Sequence, residues 1–343
     1  MRAIRGETFD GCEGFLDTAS TGIPPGSAAA VVRDTVERWA SGRMFPDEFD
    51  AATATARAAY GRFVGAAADR VAMLGTVSTC LGLVAAAIPD GSRVAVLPGE
   101  FTSVTYPFAA QQGRSITLTE LAPGELESRA GEFDVVAAAV VQSADGAVLD
   151  LDTLRAHAGD ALIVLDVTQA AGWMMLDLGW ADAVVGASYK WLLAPRGTSW
   201  IALSERLADR MTPHAANWTA AVEPWRSVYG LPMHLSDRAR RFDASATWFA
   251  VAGAAISMTW LLEQDRPAIE KQVIDLAGRV REHLGMPDRP SPIVSIPAHG
   301  RDLVGELREA GIRVAGRAGA TRVAPHLYTT DADIDRLLEV LDR

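Results

Sequence analysis

Lysine is almost missing from this chain: Lys190 and Lys271 are the only two, and the other 30 of the 32 basic residues are arginine. Cysteine is nearly as scarce. Cys12 and Cys80 are too few for a disulfide framework or a closed cysteine zinc site. A reduced, cytoplasmic protein is therefore expected. Basic residues are outnumbered 32 to 43, for a formal net charge of −11, and with no basic stripe visible this disfavours nucleic acid as a partner. The six histidines are scattered without an H-x-x-x-H pair, so no metal site is expected. Long apolar runs are missing too. The longest, residues 249–262, is too short to span a bilayer and contains Ser257 and Thr259. The arginines near the start lead into no apolar segment of the kind a secretory leader needs. Neither a membrane nor a leader is expected.

What remains is an ordinary globular composition, 49% hydrophobic and 22% charged, which excludes disorder and low-complexity readings. At 343 residues the chain has room for two domains or one large domain with an appendage. Residues 27–43 and 48–64 carry apolar positions at helical spacing, and Pro24-Pro25 punctuates the start of the first. From residue 70, short apolar runs alternate with helical segments. Strands are expected at 93–97, 115–118, 135–141, 162–166, 183–187 and 199–203, with helices at 78–88, 103–112 and 151–158. Near-continuous Val/Ile/Leu/Ala strands alternating with helices predict an α/β domain around a mainly parallel sheet covered on both faces. The alternation stops after residue 205. A Trp/Pro-rich irregular stretch follows at 213–243, long enough to suggest a functional or interfacial loop. Beyond it the pattern gives a helix at 248–264, a helix at 266–284, a strand at 293–296, a helix at 301–309, strands at 312–314 and 322–324, and a last helix at 331–343. That tail predicts a small α+β domain.

Of the two lysines, Lys271 sits in a polar, amphipathic helical pattern where a solvated ammonium needs no explanation. Lys190 ends an apolar stretch, where a charged ammonium is costly unless it is paired or used. The segment around it reads LIVLDVTQAAGW and then ADAVVGASYKWLLAPRG. An aspartate closes one apolar strand, where open α/β sheets bind ligands. A glutamine follows three residues later, and the lysine comes just after the next strand. An anion, an amide and an amine gathered this way suit pyridoxal 5'-phosphate. Lys190 would take the cofactor aldehyde, Asp166 would face the pyridinium nitrogen and Gln169 the phenolic oxygen. The competing reading is a capping aspartate, a surface glutamine and a chance lysine. In a chain with two lysines the functional reading is favoured.

Beyond these residues, the sequence resembles the class V aminotransferases among the fold-type I pyridoxal phosphate enzymes. The resemblance runs from FLDTASTGIPP at 15–25 to TRVAPHLYTTDADIDRLLEVL at 321–341, with D-x-x-Q-A-x-G and K-W-L-x-x-P-x-G as its specific stretches. It implies a large PLP-binding domain over residues 15–260. A small domain is built from 1–14 and 261–343, and a homodimer has its active sites at the subunit interface. It further implies phosphate contacts from the turn holding Ser78 and Thr79, a setting in which a helix N-terminus is a sound anion seat on physics alone; simple N-capping is the plainer role for both hydroxyls. Ser143 and Tyr189 carry over as cofactor contacts, and Ser188 is displaced by one from the family's serine. Phe101 in LPGEFTSVTYPF carries over as the residue stacked on the ring; desulfurases carry histidine there, and phenylalanine stacks without moving protons. Arg322 carries over as the fork for the substrate carboxylate, with Arg317 as a second candidate. Ser245 or Thr247 stands where relatives send a threonine to the partner's cofactor phosphate. Trp218, with Trp225, is a candidate substrate-side wall, core or interface packing being equally open. His326 reads as structural.

The expected chemistry starts at the Cα of an amino-acid substrate. Neither cysteine is placed to accept a persulfide, which disfavours desulfuration. The leading expectation is β-elimination on a cysteine S-conjugate, by likeness of LPGEF and KWLLAPRG to the C–S lyase of ergothioneine biosynthesis. The alternatives are transamination, decarboxylative or oxidative deamination and, from a different class, a non-catalytic cofactor-binding module.

Overall fold

A computed structural model describes all 343 residues. The chain opens on a hairpin, β1 (Arg2–Ile4) and β2 (Glu7–Phe9), whose two turn residues Arg5 and Gly6 both take positive φ, 51° and 83°. That is the two-residue turn whose twist matches paired strands. Helices α1 (Gly26–Ala40) and α2 (Phe49–Val64) follow. Next come β3 (Val71–Leu74), α3 (Val77–Ala87), β4 (Arg93–Val96), α4 (Thr102–Ala109), β5 (Thr117–Glu120) and the single turn α5 (Glu125–Ser128). Then β6 (Val135–Ala139), α6 (Leu151–His157), β7 (Leu162–Asp166), β8 (Ala183–Ala187), β9 (Ser199–Leu203) and α7 (Glu205–Ala208) complete the large sheet and its cover.

The sheet has seven strands in the order β3-β9-β8-β7-β6-β4-β5. All neighbours from β8 to β5 are parallel; β9 runs antiparallel to both β8 and β3. Every residue of β6, β7, β8 and β9 is buried, as strands covered on both faces require. Register decides what meets at the edge. Asp166 at the end of β7 is level with Ala139 of β6 and Val185 of β8. Because β9 is antiparallel, its first residue, Ser199, pairs with both Ala187 of β8 and Leu74 of β3. The loops after β3, β4, β6, β7 and β8 and the one before β9 therefore open on one side.

Helix α8 (Trp248–Leu262) is apolar nearly all round and packs between α1 and α2. After it come α9 (Arg266–His283), β10 (Val294–Pro297), α10 (Leu303–Glu309), β11 (Ala315–Arg317), β12 (Ala320–Val323) and α11 (Asp331–Leu341). Their three strands form an antiparallel sheet in the order β10-β12-β11, over a separate core that includes Leu276, Val294, Leu307, Val323 and Leu337. Leu16 joins that core, bridges from Phe15 to Arg313 and Asp17 to Ala324 run alongside, and Arg2 pairs with Asp333 of α11 at 2.5 Å.

The expected strands at 135–141, 162–166, 183–187 and 199–203 are present, the first ending at Ala139. Two expectations are corrected. The strands expected at 312–314 and 322–324 are β11 and β12, at 315–317 and 320–323, because the turn between them sits at Ala318-Gly319, both with positive φ. β3 was not expected at all. The stretch 213–243 has only short 3-10 turns and one bridge, between Ala221 and Leu235.

Candidate active site

The open edge of the sheet encloses a cavity of ≈ 180 Å³ lined by, among others, Ser78, Phe101, Ser143, Asp166, Gln169, Tyr189 and Lys190. Seven residues singled out from sequence therefore meet in one place, drawn from five separate loops.

Lys190 follows β8 by three residues and is 7% exposed; its backbone oxygen accepts Leu193 N at 3.1 Å, while its side-chain amine has no hydrogen-bond or ion-pair partner in the chain. Its Nζ lies 5.4 Å from the centre of the Phe101 ring and 5.8 Å from that of Tyr189. Burial pushes its pKa down to about 8. Asp166 pulls the other way, and Arg322, Arg317 and Arg196 add to the fall. Asp166 is 6% exposed and accepts the Thr168 backbone N–H at 2.8 Å; burial raises its pKa against the pull of Thr168 and Lys190. A buried carboxylate and a buried, unpartnered amine at the ends of adjacent parallel strands fit a cationic ring nitrogen and an aldehyde. The residues present thus suit pyridoxal 5'-phosphate.

The backbone under Lys190 is tightly held. Gly22 N donates to Tyr189 O at 2.9 Å, and a Cβ on Gly22 would stand 2.1 Å from Lys190 O. Gly172, the glycine of D-x-x-Q-A-x-G, has φ +119°, and a Cβ there would lie 2.2 Å from Trp191 O. The motif glycine is needed because another backbone passes through the space a side chain would fill.

Gln169 lines the cavity with its amide engaged within the chain. Both hydrogens of its Nε2 are spent, on Ala19 O and Ser143 Oγ at 3.0 Å each, while its Oε1 accepts Trp191 Nε1 at 2.7 Å. Ser143 Oγ accepts a second bond at 3.0 Å from Arg322 Nη1, which also donates to Ser143 O at 2.6 Å. With two N–H groups donating to it, the Ser143 hydroxyl keeps its own hydrogen for the cavity. Gln169 thus orients Ser143, whose free hydroxyl hydrogen is available to a ligand oxygen in the cavity.

At the other end, Thr76 caps α3: its Oγ1 accepts Thr79 N at 3.1 Å and meets the hydroxyls of Ser78 at 3.0 Å and Thr79 at 2.7 Å. Thr76 thus does the capping expected of Ser78 or Thr79, and those two keep their exposed hydroxyls at the helix N-terminus, where an anion is favoured. Ser188 is turned away, its Oγ accepting from Thr198 and Trp200. Arg196 lines the same cavity and lies over Tyr189 at 5.5 Å.

Phe101 is half exposed, at 49%. It is pinned from behind by Glu100, whose carboxyl accepts Phe101 N and Ala139 N at 2.8 Å and Gln142 Nε2 at 3.0 Å. Burial pushes the Glu100 pKa up to about 7. Arg322 is 1% exposed, and burial, aided by Arg317, brings its pKa down to about 10. Arg317 is exposed beside it.

Six expected residues are absent from the lining of that cavity: Thr79 on α3, Arg322 and Arg317 on β12 and β11, and Trp218, Ser245 and Thr247. Trp218 packs against Trp225, ring centres 4.7 Å apart and planes tilted by 47°, and Trp225 is tied to Asp50 on α2. Ser245 is exposed, with its Oγ donating to Asn217, and Thr247 precedes α8. His326 is fully buried, its Nδ1 accepting Leu327 N at 2.7 Å and its Nε2 donating to Trp191 O at 3.1 Å; burial holds its pKa down to about 4. Sequence reading missed Thr76, Ser20 and Arg196, and took Glu100 only as the residue preceding Phe101. Only Arg196 carried a signal, an arginine six residues after the lysine in K-W-L-L-A-P-R-G.

The sequence profile of Aminotransferase class-V matches residues 36–337. Among characterised proteins, isopenicillin N epimerase of Amycolatopsis lactamdurans is 25% identical over 389 residues, covering 95% of each chain. The enzyme of the same name from Streptomyces clavuligerus is 25% identical over 339 residues, 84% of this chain and 83% of its own. Among solved structures, the cystine C–S lyase C-DES, in complex with its product cysteine persulfide, matches with TM-score 0.84 at 17% identity over 95% of this chain and 96% of its own. The cysteine desulfurase CsdA of Escherichia coli matches with TM-score 0.82 at 17% identity, over 98% and 96%. At such identities the structural likeness concerns the fold.

Proposed function

The chain belongs to the class V aminotransferases and is a pyridoxal 5'-phosphate enzyme, and from that premise we propose that it eliminates the thiol of a cysteine S-conjugate. Conjugate and water give thiol, pyruvate and ammonia. When bound, the cofactor supplies a sink for the electron pair left at Cα once its proton is removed.

The chain's own groups divide the work. Lys190 holds the cofactor and, as a free amine with its pKa near 8, is the base that takes the Cα proton. Asp166, buried at the end of β7, would hold the cofactor's ring nitrogen and favour its protonated form. Arg322 forks the α-carboxylate, and its bonds to both oxygens of Ser143 fix its plane. Phe101 orients the ring and moves no proton, so acid–base work rests on Lys190. The observation that carries elimination over sulfur transfer is the state of the thiols. Cys12 and Cys80 are both fully buried, and burial pushes the Cys80 thiol up, so the site has no nucleophile to receive a persulfide.

Epimerisation at Cα is the second reading, favoured by relatives named isopenicillin N epimerase that cover 95% and 84% of the chain. Transamination and deamination would use the same lysine. A product assay on purified protein with added cofactor and a panel of cysteine S-conjugates separates them. Thiol, pyruvate and ammonia are expected in equal amounts. Exchange of the Cα hydrogen for solvent deuterium with no pyruvate would replace elimination by epimerisation.

The reading includes a homodimer, supported by Ser245 and Thr247 lying outside their own cavity and by an exposed apolar loop around Tyr229 and Leu231.

A further inference from the structure

Three arginines surround Lys190 without a carboxylate within hydrogen-bonding reach, in a chain whose acidic residues are in excess. Arg196 stands at the phosphate end of the cavity, over Tyr189. Arg322 lies outside the cavity lining, behind Ser143, and is held by Ser143 and Ser20. Arg317 donates from Nη1 to Gly316 O at 2.7 Å and from Nη2 to Ser20 Oγ at 3.1 Å, and that serine oxygen also accepts Arg322 Nη2 at 2.8 Å. Two guanidinium groups thus converge on one neutral hydroxyl. The nearest acid, Asp17, is buried and stays 3.8 Å from Arg322 Nη2. Convergence of like charges costs energy that an anion seated between or beside them would recover.

The cofactor and an ordinary amino acid bring two anionic groups to the cavity, the phosphate and the α-carboxylate. Arg196 with the N-terminus of α3 answers the first, and Arg322 the second. Arg317 is left over. It is exposed at the end of β11 and shares Ser20 Oγ with Arg322, which sets it directly beside the guanidinium assigned to the α-carboxylate. We propose that Arg317 reads a second carboxylate at the far end of the substrate side chain, so that the substrate is a dianionic amino acid and, on the elimination reading above, a cysteine S-conjugate with an acidic S-substituent.

Binding is measured by titrating the visible absorption of the holoenzyme with L-2-aminoadipate and with L-norleucine, which match in length and differ in the terminal carboxylate. The wild type is expected to bind aminoadipate about tenfold more tightly, the worth of one charge-assisted contact. Arg317→Gln should erase that preference and leave norleucine unchanged. A wild type without preference, or a preference that survives in Arg317→Gln, overturns the proposal. So does an equal loss for both ligands, which would give Arg317 the α-carboxylate instead. Turnover of S-(2-carboxyethyl)-L-cysteine against S-propyl-L-cysteine tests the reaction separately. Preferred binding without thiol release would overturn elimination and uphold the anion seat; equal turnover of the two conjugates would overturn the seat and uphold elimination.

Discussion

Lys190 is where sequence and chemistry meet most directly. It stands out in the sequence because the chain spends arginine elsewhere, and the structure gives it the burial that a neutral amine needs. With its pKa near 8, the neutral fraction falls about tenfold per pH unit below that value. Capture of the cofactor aldehyde requires the neutral form. Mixing apoprotein with pyridoxal phosphate should therefore give a capture rate that climbs about tenfold per unit up to pH 8 and levels off above it. Lys190→Ala should capture none. A rate that is flat from pH 6 to pH 9, or a visible band unchanged in the variant, would remove Lys190 from the site. Asp166 and Lys190 were legible because residue type and strand position coincide. Ser143, as the free hydroxyl donor, emerges only from counting hydrogens on Gln169 and Arg322, which depends on contacts that no spacing encodes. The roles of Ser20 and Glu100 were invisible for the same reason: they come from chain segments brought together by the fold.

At the scale of elements, the central strands were readable because burial on both faces leaves long unbroken apolar runs, as in LIVLD and AVVGA. The edge strand β3, four residues long with no alternation, gave no such signal. In the small sheet the first strand lies three residues later than expected and the second starts two residues earlier, and both shifts close the pair onto one tight turn, the positive-φ pair Ala318-Gly319, since a turn fixes hairpin register more firmly than hydropathy does. Gly172 lies where the chain after β7 crosses the turn that carries Lys190, and Gly172→Ala would combine a strained φ with a clash against the Trp191 carbonyl. The cost should be about 2–4 kcal/mol. Chemical denaturation should show a lower midpoint, and cofactor affinity should fall with it because Lys190 moves. A variant with unchanged midpoint and affinity would mean that the crossing is looser than the contact implies.

The molecule as a whole exposes more large apolar surface than a solitary chain needs. Tyr229 is 93% exposed, Leu231 87% and Met233 65%, all on the irregular loop after the large sheet. A monomer rarely leaves such side chains clustered in water. Half of Phe101 is bare as well, and the two hydroxyls that the family resemblance assigns to a phosphate, Ser245 and Thr247, stand outside their own cavity. The proposed two-fold assembly would account for all of this, each chain covering the other's loop and supplying a hydroxyl to the other's cofactor. Sedimentation of the wild type should then give a mass near twice 36.5 kDa. The double variant Tyr229→Glu, Leu231→Glu places charge in the covered face and should halve that mass. Because part of the phosphate seat leaves with the partner, cofactor affinity should drop about tenfold or more in the same variant. A dimer that survives the double substitution would move the interface elsewhere. A monomer that held cofactor as tightly as the wild type would show instead that Thr76, Ser78 and Arg196 suffice, and that the site is complete within one chain.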